Sequence, residues 1–189
     1  YIAKQMGLPL GRLVCASNRN NILTDFINTG KYDRNRPFYT TMSPSMDILI
    51  SSNLERLLYL MCGPEQTADY MAQLQEKGCY AVSDVCKQAL RRDFAGAFSS
   101  EEDTAKTIKN AFANGMLCDT HTAVALKCAL EYMEKQQSAG KMLVVSTASA
   151  YKFAPSVLDS LGAQVPEDEF DSIEALMQKT DTRAPLPLL

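Results

Sequence analysis

The apolar residues of this chain follow two spacings, and each spacing predicts a different element. Short continuous apolar runs lie within residues 12–16 and 141–149, and such runs are typical of buried strands. Residues 43–63 instead carry apolar side chains three or four positions apart, which predicts an amphipathic helix. With Ser43 as N-cap and Pro44 at the first helical position, this is the clearest helix in the sequence.

Other segments combine helical spacing with a capping residue at one end or a glycine at the other. They predict helices at 20–28, 64–77, 155–161 and 168–178. Three further helices are predicted: one capped by Ser83 or Asp84 that runs through Leu90, one capped by Ser99, and one from Asp119 to near Gly140. A short strand is predicted at 79–82 and a loop at 31–41. Strands that alternate with helices predict an α/β fold, here a helix-rich three-layer domain with a mainly parallel sheet. Without a linker or repeat, residues 1–189 are expected to form one domain.

Composition and charge narrow the class of protein. The 19 basic and 22 acidic residues are interspersed, with a net charge of −3, which argues against binding to nucleic acid or to a membrane surface. The apolar runs are too short to span a bilayer, so we expect a cytoplasmic protein. Six cysteines without CxxC spacing and one histidine form no zinc pattern. We therefore expect no metal site and six reduced thiols.

The two ends of the sequence suggest a piece of a longer polypeptide. The chain starts at Tyr1 rather than at methionine, and "YIAKQMG" is typical of the last turns of a helix closed by Gly7. The other end, "TRAPLPLL", stops on apolar residues with no helix to bury them. We expect a further segment to precede Tyr1.

Polar residues follow the two clearest predicted strands. "CASNRNN" comes after the first and "VVSTASAYK" after the second, and ligands of parallel sheets bind at the carboxyl ends of the strands. Hydroxyls and amides there can bind a ligand without a buried charge. The alternative is structural, because Ser17, Asn18 and Asn20 also suit a helix cap or an Asx-turn. Ser146 and Thr147 likewise suit an ordinary strand terminus.

The remaining chemical candidates each have a structural alternative. Asp119 suits a helix cap better than a catalytic acid, and His121, one residue into that helix, suits a structural role better than a ligand. Asp47 is explained by a favourable interaction with a helix dipole. Three basic residues of one loop, Lys31, Arg34 and Arg36, could attract a phosphate but suit a solvated loop better. No GxGxxG or GxxxxGK motif and no Ser-His-Asp set is present.

Four stretches together resemble a known family. "ASNRNNILTDFINTGKYDRN", "SPSMDILISSNLERLL", "DTHTAVA" and "STASAYKF" are similar, in order and spacing, to the C-terminal part of bacterial threonine synthase. The resemblance implies a fold like the large domain of fold-type II pyridoxal-phosphate enzymes. It also implies the conversion of O-phospho-L-homoserine and water to L-threonine and phosphate, with pyridoxal 5′-phosphate as the cofactor.

The resemblance assigns only a few roles within this chain. Thr147 matches the hydroxyl residue that faces the pyridine nitrogen of the cofactor, and Ser146 and Lys152 flank it. Candidates for the cofactor and substrate cleft are Ser17, Asn18, Asn20, Asp119 and His121. The cofactor lysine and the phosphate-binding loop of the family lie upstream of the matched region, and no lysine of this chain matches that motif.

The missing elements leave three interpretations open. In the first, the chain is part of a two-domain threonine synthase, inactive alone, with the N-terminal part of the same enzyme as its partner. In the second, it is an inert α/β binding or interaction module derived from such an enzyme. In the third, it belongs to another lyase of the same fold type. The oligomeric state is not predicted.

Overall fold

The computed structural model describes residues 1–137 and 140–188, which form two compact units. Unit 1 comprises Tyr1–Tyr39 and Met46–Phe98, and unit 2 comprises Thr40–Ser45 and Ser99–Leu189. The expectation that the whole chain is one domain of a longer enzyme stays a prediction.

Unit 1 contains five helices and four strands among the described residues. In chain order these are α1 (Ile2–Gln5), β1 (Leu13–Ser17), α2 (Ile22–Thr29), β2 (Lys31–Asp33), α3 (Ser52–Cys62), α4 (Pro64–Lys77), β3 (Cys79–Ala81), α5 (Asp84–Asp93) and β4 (Phe94–Phe98). Strands β1 and β4 pair in parallel, with Leu13 opposite Phe94 and Ser17 opposite Phe98. Strands β2 and β3 form a separate antiparallel pair. The predicted helix-rich α/β fold with parallel strand pairing is confirmed.

Helix α2 packs unusually close to β4, and a glycine makes this possible. A Cβ atom on Gly96 would lie 2.8 Å from both the Cα and the carbonyl oxygen of Thr24. The Thr24 hydroxyl donates to the Ala97 carbonyl at 2.7 Å. The contact fixes the helix over the strand pair and so positions the loop that joins β1 to α2.

The core of unit 1 combines aliphatic side chains with a group of three tyrosines. Ile22, Phe26, Leu58 and Leu90 are completely buried. The rings of Tyr32, Tyr70 and Tyr80 are stacked, with centroids 5.2 Å and 5.3 Å apart, and burial raises the pKa of Tyr80. Aromatic stacking of this kind adds to the stabilisation that burial provides.

Three predictions for unit 1 are wrong. Residues 31–33 form a strand instead of a loop, because their partner β3 lies far along the chain. The predicted helix at 43–63 begins only at Ser52, with Ser51 as the N-cap, and Pro44–Met46 is a separate 3-10 turn. The sulfur atoms of Cys62 and Cys86 are in bonding contact, with Cα atoms 6.3 Å apart, so the expected reduced state does not hold for this pair.

Unit 2 is helical in its described part. It contains α6 (Glu101–Ala113), α7 (Thr120–Gln136), α8 (Ala154–Ser160) and α9 (Glu169–Thr180), with 3-10 turns at Ala150–Phe153 and Leu186–Leu188. Its core is formed by side chains from all four helices, including Ile108, Ala123, Val157, Leu158 and Leu176. Asp119 and Asp168 cap α7 and α9 through backbone N–H groups. No described helix is long and apolar enough to cross a membrane.

Three predictions for unit 2 are also corrected. Residues 141–149 form no strand, since none of the described strands pairs with them, and Leu143 and Val145 are 82% and 66% exposed. A strand needs a neighbour to satisfy its backbone groups. Helix α6 is capped by Ser100 rather than Ser99, and α7 ends at Gln136 rather than near Gly140.

Candidate functional site

The first candidate group lies in unit 1, where two asparagines after β1 contact the carboxylate of Asp47. Asn18 Nδ2 donates to Asp47 Oδ1 at 2.7 Å, and Asn20 Nδ2 donates to the same oxygen at 3.0 Å. Asn20 Nδ2 also donates to the Tyr39 carbonyl at 2.7 Å, and the Tyr39 N–H donates to Asn20 Oδ1 at 3.0 Å. We call Asn18, Asn20, Tyr39 and Asp47 the Asp47 cluster.

The Asp47 cluster explains why the sequence places amides directly after a strand. Asn18 is completely buried and Asn20 is 4% exposed, and buried amides need hydrogen-bond partners. The Asn20 N–H donates to Asn18 Oδ1 at 2.9 Å, which is the Asx-turn that the structural alternative predicts. Asp47 lies outside the helices, so its expected role beside a helix dipole is wrong, and it anchors two amides instead.

Residues next to the Asp47 cluster also form side-chain contacts. The hydroxyl oxygens of Ser17 and Thr24 are 3.0 Å apart, and Ser17 is buried. Arg19 is exposed, and its guanidinium lies 3.7 Å from the centre of the Tyr39 ring. Such a cation–π contact stabilises the loop modestly at an exposed position.

Two of the basic residues considered as phosphate ligands form ion pairs. Arg36 Nη1 lies 2.7 Å from Asp25 Oδ2, and Lys31 Nζ lies 2.9 Å from Asp33 Oδ2. Both pairs are at least partly exposed, where an ion pair contributes little to stability. This arrangement fits the interpretation of a solvated loop.

The second candidate group lies in unit 2 around the N-cap of α7. Asp119 Oδ1 accepts the backbone N–H groups of His121 at 2.8 Å and of Thr122 at 3.1 Å. The Thr122 hydroxyl donates to Asp119 Oδ2, and its oxygen lies 2.9 Å from Ser146 Oγ. We call Asp119, His121, Thr122 and Ser146 the Asp119 cluster. The predicted cap is confirmed, and the cap also connects to Ser146, 24 residues beyond Thr122.

The ring of His121 is held on both nitrogens. The Ser45 N–H donates to Nε2 at 3.2 Å, so Nε2 accepts and the proton of the neutral ring resides on Nδ1. Nδ1 lies 3.2 Å from Asp119 Oδ1, to which it donates. The Phe153 ring centre is 4.5 Å from that of His121, and only 8% of His121 is exposed. These contacts fix the orientation of the imidazole and join the backbone of Ser45 to α7.

The charge of Asp119 is strongly stabilised. Burial by itself raises the pKa of this carboxyl, but hydrogen bonds from the His121 and Thr122 side chains and backbone N–H groups outweigh that effect and lower the pKa to about 2. Hydrogen bonds to an ionised carboxylate favour the charged form. Asp119 is therefore a carboxylate, able only to accept hydrogen bonds, throughout the neutral range.

Ser146, Thr147 and Lys152 are exposed residues of unit 2. Both hydroxyl residues are exposed, and Lys152 lies on the 3-10 turn Ala150–Phe153 that begins three residues after Thr147. Lys152 also lines a surface cavity of about 620 Å³ together with Ser156 and Phe170. The structure thus connects Ser146 to Asp119 through the Thr122 hydroxyl and leaves Thr147 exposed.

Two of the free cysteines in the described ranges, Cys15 and Cys118, have thiols of low reactivity. Burial raises the pKa of Cys15 to about 11, and burial together with the nearby Asp119 does the same for Cys118. A thiol with a raised pKa is a poor nucleophile. Within residues 1–137 and 140–188, no three His, Cys, Asp or Glu side chains form a group that could hold a metal ion.

Sequence reasoning missed several members of these clusters. Thr122 carried a usable signal, because the side chain three positions after an N-cap faces that cap. Tyr39 contributes through its backbone to the Asp47 cluster, as Ser45 does to His121. Backbone contacts between distant segments leave no residue pattern, so no sequence signal could have identified these two.

Comparison with known proteins gives a consistent result. The family model "Threonine synthase, C-terminal" matches residues 122–187. Threonine synthase of Saccharomyces cerevisiae is 35% identical over 179 residues, covering 85% of this chain and 35% of the yeast protein. A protein named threonine synthase-like 1 from Macaca fascicularis is 39% identical over 163 residues, covering 84% of this chain and 22% of its own length.

Solved structures agree with the sequence comparisons. The yeast threonine synthase structure matches with a TM-score of 0.85 and 30% identity over 100% of this chain and 38% of the yeast chain. The structure of pyridoxal-phosphate-bound threonine synthase from Brucella melitensis matches with a TM-score of 0.78 and 35% identity, covering 92% of this chain and 38% of its own. The chain therefore spans between about a fifth and two-fifths of the length of these proteins.

Proposed function

Because this chain belongs to the threonine synthase family and matches its C-terminal portion, we propose that it is part of a pyridoxal-phosphate enzyme making L-threonine. The reaction would convert O-phospho-L-homoserine and water to L-threonine and phosphate. The observation that carries the proposal is the extent of the match, which includes 30% identity and a TM-score of 0.85 over the whole chain. The cofactor lysine and phosphate loop would come from a preceding part of the same polypeptide, which would also be needed for activity.

Ser146 and Thr147 suit the pyridine end of the cofactor. Both are neutral, exposed hydroxyl residues, and a hydroxyl can hydrogen-bond a ring nitrogen without enforcing its protonation. We assign the nitrogen contact to Thr147 and a flanking position to Ser146. Pyridoxal phosphate, when bound, supplies the electron sink that allows protons to leave the α and β carbons and phosphate to leave the γ carbon.

In each unit the other candidate residues would support a bound ligand rather than react. Ser17, Asn18 and Asn20 follow β1; the amides of Asn18 and Asn20 donate to Asp47, and Asn20 also donates to the Tyr39 carbonyl, which holds that loop in place. Asp119 and His121 fix the start of α7, and the Asp119 cluster includes Ser146. Lys152 offers a cation suited to an anionic substrate. Rigid support of this kind reduces the cost of ordering a site when ligand binds.

The direct test uses the full polypeptide that contains this chain. We expect phosphate and L-threonine to form from O-phospho-L-homoserine only with pyridoxal phosphate present. Thr147→Ala should lower turnover roughly tenfold or more with little change in thermal stability, because one contact made to the cofactor is removed. Thr29→Ala, which alters an exposed threonine at the end of α2, should leave turnover unchanged.

Three outcomes would contradict parts of the proposal. Activity on serine or threonine but not on phosphohomoserine would indicate another lyase of the same fold type. Failure of the full polypeptide to bind pyridoxal phosphate would indicate a binding module without catalysis. Unchanged turnover in Thr147→Ala would remove Thr147 from the site.

A further inference from the structure

The Asp119 cluster fixes the direction of its hydrogen bonds. An ionised carboxylate has no proton to give, so the contact between Asp119 Oδ2 and the Thr122 hydroxyl must be donated by Thr122. A hydroxyl carries a single proton. Thr122 can therefore only accept in its other contact, the one with Ser146 Oγ at 2.9 Å.

It follows that the Ser146 proton points inward, toward Thr122. The outward side of the Ser146 hydroxyl then carries only lone pairs, although Ser146 is exposed and adjoins Thr147. A ring nitrogen without a proton accepts hydrogen bonds and needs a donor. In this arrangement Ser146 cannot be that donor, and Thr147 can.

We propose that Asp119 and Thr122 are positioning residues that keep the Ser146 proton directed toward Thr122. Of the two adjacent hydroxyls, only that of Thr147 can then donate to the ligand. The inference rests on the proposed function, because it takes the ring nitrogen of pyridoxal phosphate as the acceptor. Asp119 and Thr122 themselves touch no ligand. They act by deciding which of two adjacent hydroxyls is the donor.

The first test is a double-mutant cycle on the full polypeptide, with the dissociation constant of pyridoxal phosphate measured by fluorescence. In the parent, Thr147→Ala should weaken binding roughly three- to tenfold, the value of one hydrogen bond. In a Thr122→Val background Ser146 is free to turn outward and donate. There the same Thr147→Ala change should weaken binding by less than about twofold, which is a clear departure from additivity.

A second variant, Asp119→Asn, reverses the direction of the hydrogen bonds of Thr122 without removing a side chain. In Asp119→Asn the amide oxygen must stay at the Oδ1 position, where two backbone N–H groups donate, so the amide NH₂ faces Thr122. Thr122 then accepts from the amide and donates to Ser146, whose own proton is released. Asp119→Asn should therefore suppress the effect of Thr147→Ala just as Thr122→Val does.

Two controls separate positioning from general weakening of the fold. Thr122→Ser keeps the hydroxyl and should behave like the parent. Thr67→Val removes another buried threonine hydroxyl near a helix N-terminus, one that donates to the Gly63 carbonyl at 2.8 Å, and should leave the Thr147→Ala effect at its parental size. Equal effects of Thr147→Ala in the parent, Thr122→Val and Asp119→Asn backgrounds would overturn the proposal.

A cofactor-independent measurement keeps the two proposals distinguishable. Amide hydrogen exchange at residues 145–148 should accelerate roughly two- to tenfold in Thr122→Val, because one tether of this segment is lost, and not in Thr122→Ser. If the parent binds no pyridoxal phosphate, the proposed function fails. The exchange rates alone then test whether Thr122 holds residues 145–148 in place. Unchanged exchange in Thr122→Val would overturn the positioning role whether or not the cofactor binds.

Discussion

The Asp47 cluster of unit 1 and the Asp119 cluster of unit 2 are both organised by one aspartate, but the two carboxylates differ in surroundings. Asp47 is partly exposed and accepts from two asparagine side chains in a loop. Asp119 is 1% exposed, caps a 17-residue helix, and accepts from both backbone and side chains. Burial makes each lost hydrogen bond more costly. The comparison therefore predicts larger consequences at Asp119 than at Asp47.

The largest effect is expected from Asp119→Ala. This change removes the cap of α7 and with it the buried carboxylate that accepts from the backbone and side chains of His121 and Thr122, which should lower the free energy of unfolding by about 3 kcal/mol. Urea denaturation of the full polypeptide measures the loss. Asp168→Ala is the matched control, because Asp168 accepts from the Phe170 and Asp171 N–H groups at 2.8 and 3.2 Å but is exposed.

For Asp168→Ala we expect a loss of about 1 kcal/mol, the ordinary value of an N-cap. Equal losses of unfolding free energy in the two variants would show that the burial and the side-chain hydrogen bonds of Asp119 contribute nothing to stability. The cluster would then be an ordinary helix cap, and the contrast with Asp47 would disappear.

Lowering the pH should reversibly remove the stabilisation that the charge of Asp119 provides. The pKa of Asp119 is about 2 in the folded chain, below the ordinary value of 3.8, so its charge stabilises the fold fully above the unfolded pKa. That stabilisation, about 2 kcal/mol, is lost as the pH falls from about 4 to 2. The measurement is the difference in unfolding free energy between the parent and Asp119→Asn across this range.

Asp119→Asn suits this experiment because asparagine also caps helices but does not titrate. The difference between parent and variant should shrink as the pH falls. A difference that stays constant from pH 5 to pH 2 would mean that the folded and unfolded pKa values of Asp119 are equal, against the hydrogen bonds described above.

The two clusters also differ in how much of them the sequence could predict. The Asp119 cap was predictable because capping depends on neighbouring residues, and it was confirmed. The bonds from Asn18 and Asn20 to Asp47 join residues 29 and 27 positions apart, and no local pattern encodes that separation. The resemblance pointed to the asparagines but could not name the carboxylate that holds them.

The same distinction applies to the fold. Strand β1 and helix α4 were predicted because their apolar spacing and terminal glycine are local signals. The short strand β2 and the absence of a strand at 141–149 depend on whether a partner strand is available, which a single segment does not reveal. Helix α3 was predicted to start too early because Ser43–Pro44 and Ser51 both fit the preference for a helix start. The helix begins after Ser51, and Asp47, which lies between the two, accepts a hydrogen bond from Asn18, 29 positions earlier in the chain.

The smallest of these effects is expected from Asp47→Ala, which tests the other side of the comparison. Two amide donors lose a partly exposed acceptor, so the free energy of unfolding should fall by about 1 to 1.5 kcal/mol. Asn20 keeps its two bonds to the Tyr39 backbone. Amide exchange should therefore accelerate at residues 46–48 more than at residue 39.

Asp25→Ala provides the control for Asp47→Ala, since Asp25 is another partly exposed aspartate of unit 1 but is paired with Arg36. An exposed ion pair contributes about 0 to 1 kcal/mol, so this variant should unfold close to the parent and leave exchange at residues 46–48 unchanged. A loss in Asp47→Ala as large as that in Asp119→Ala would contradict the comparison. It would mean that anchoring a loop through two amides stabilises unit 1 as much as the buried cap stabilises unit 2.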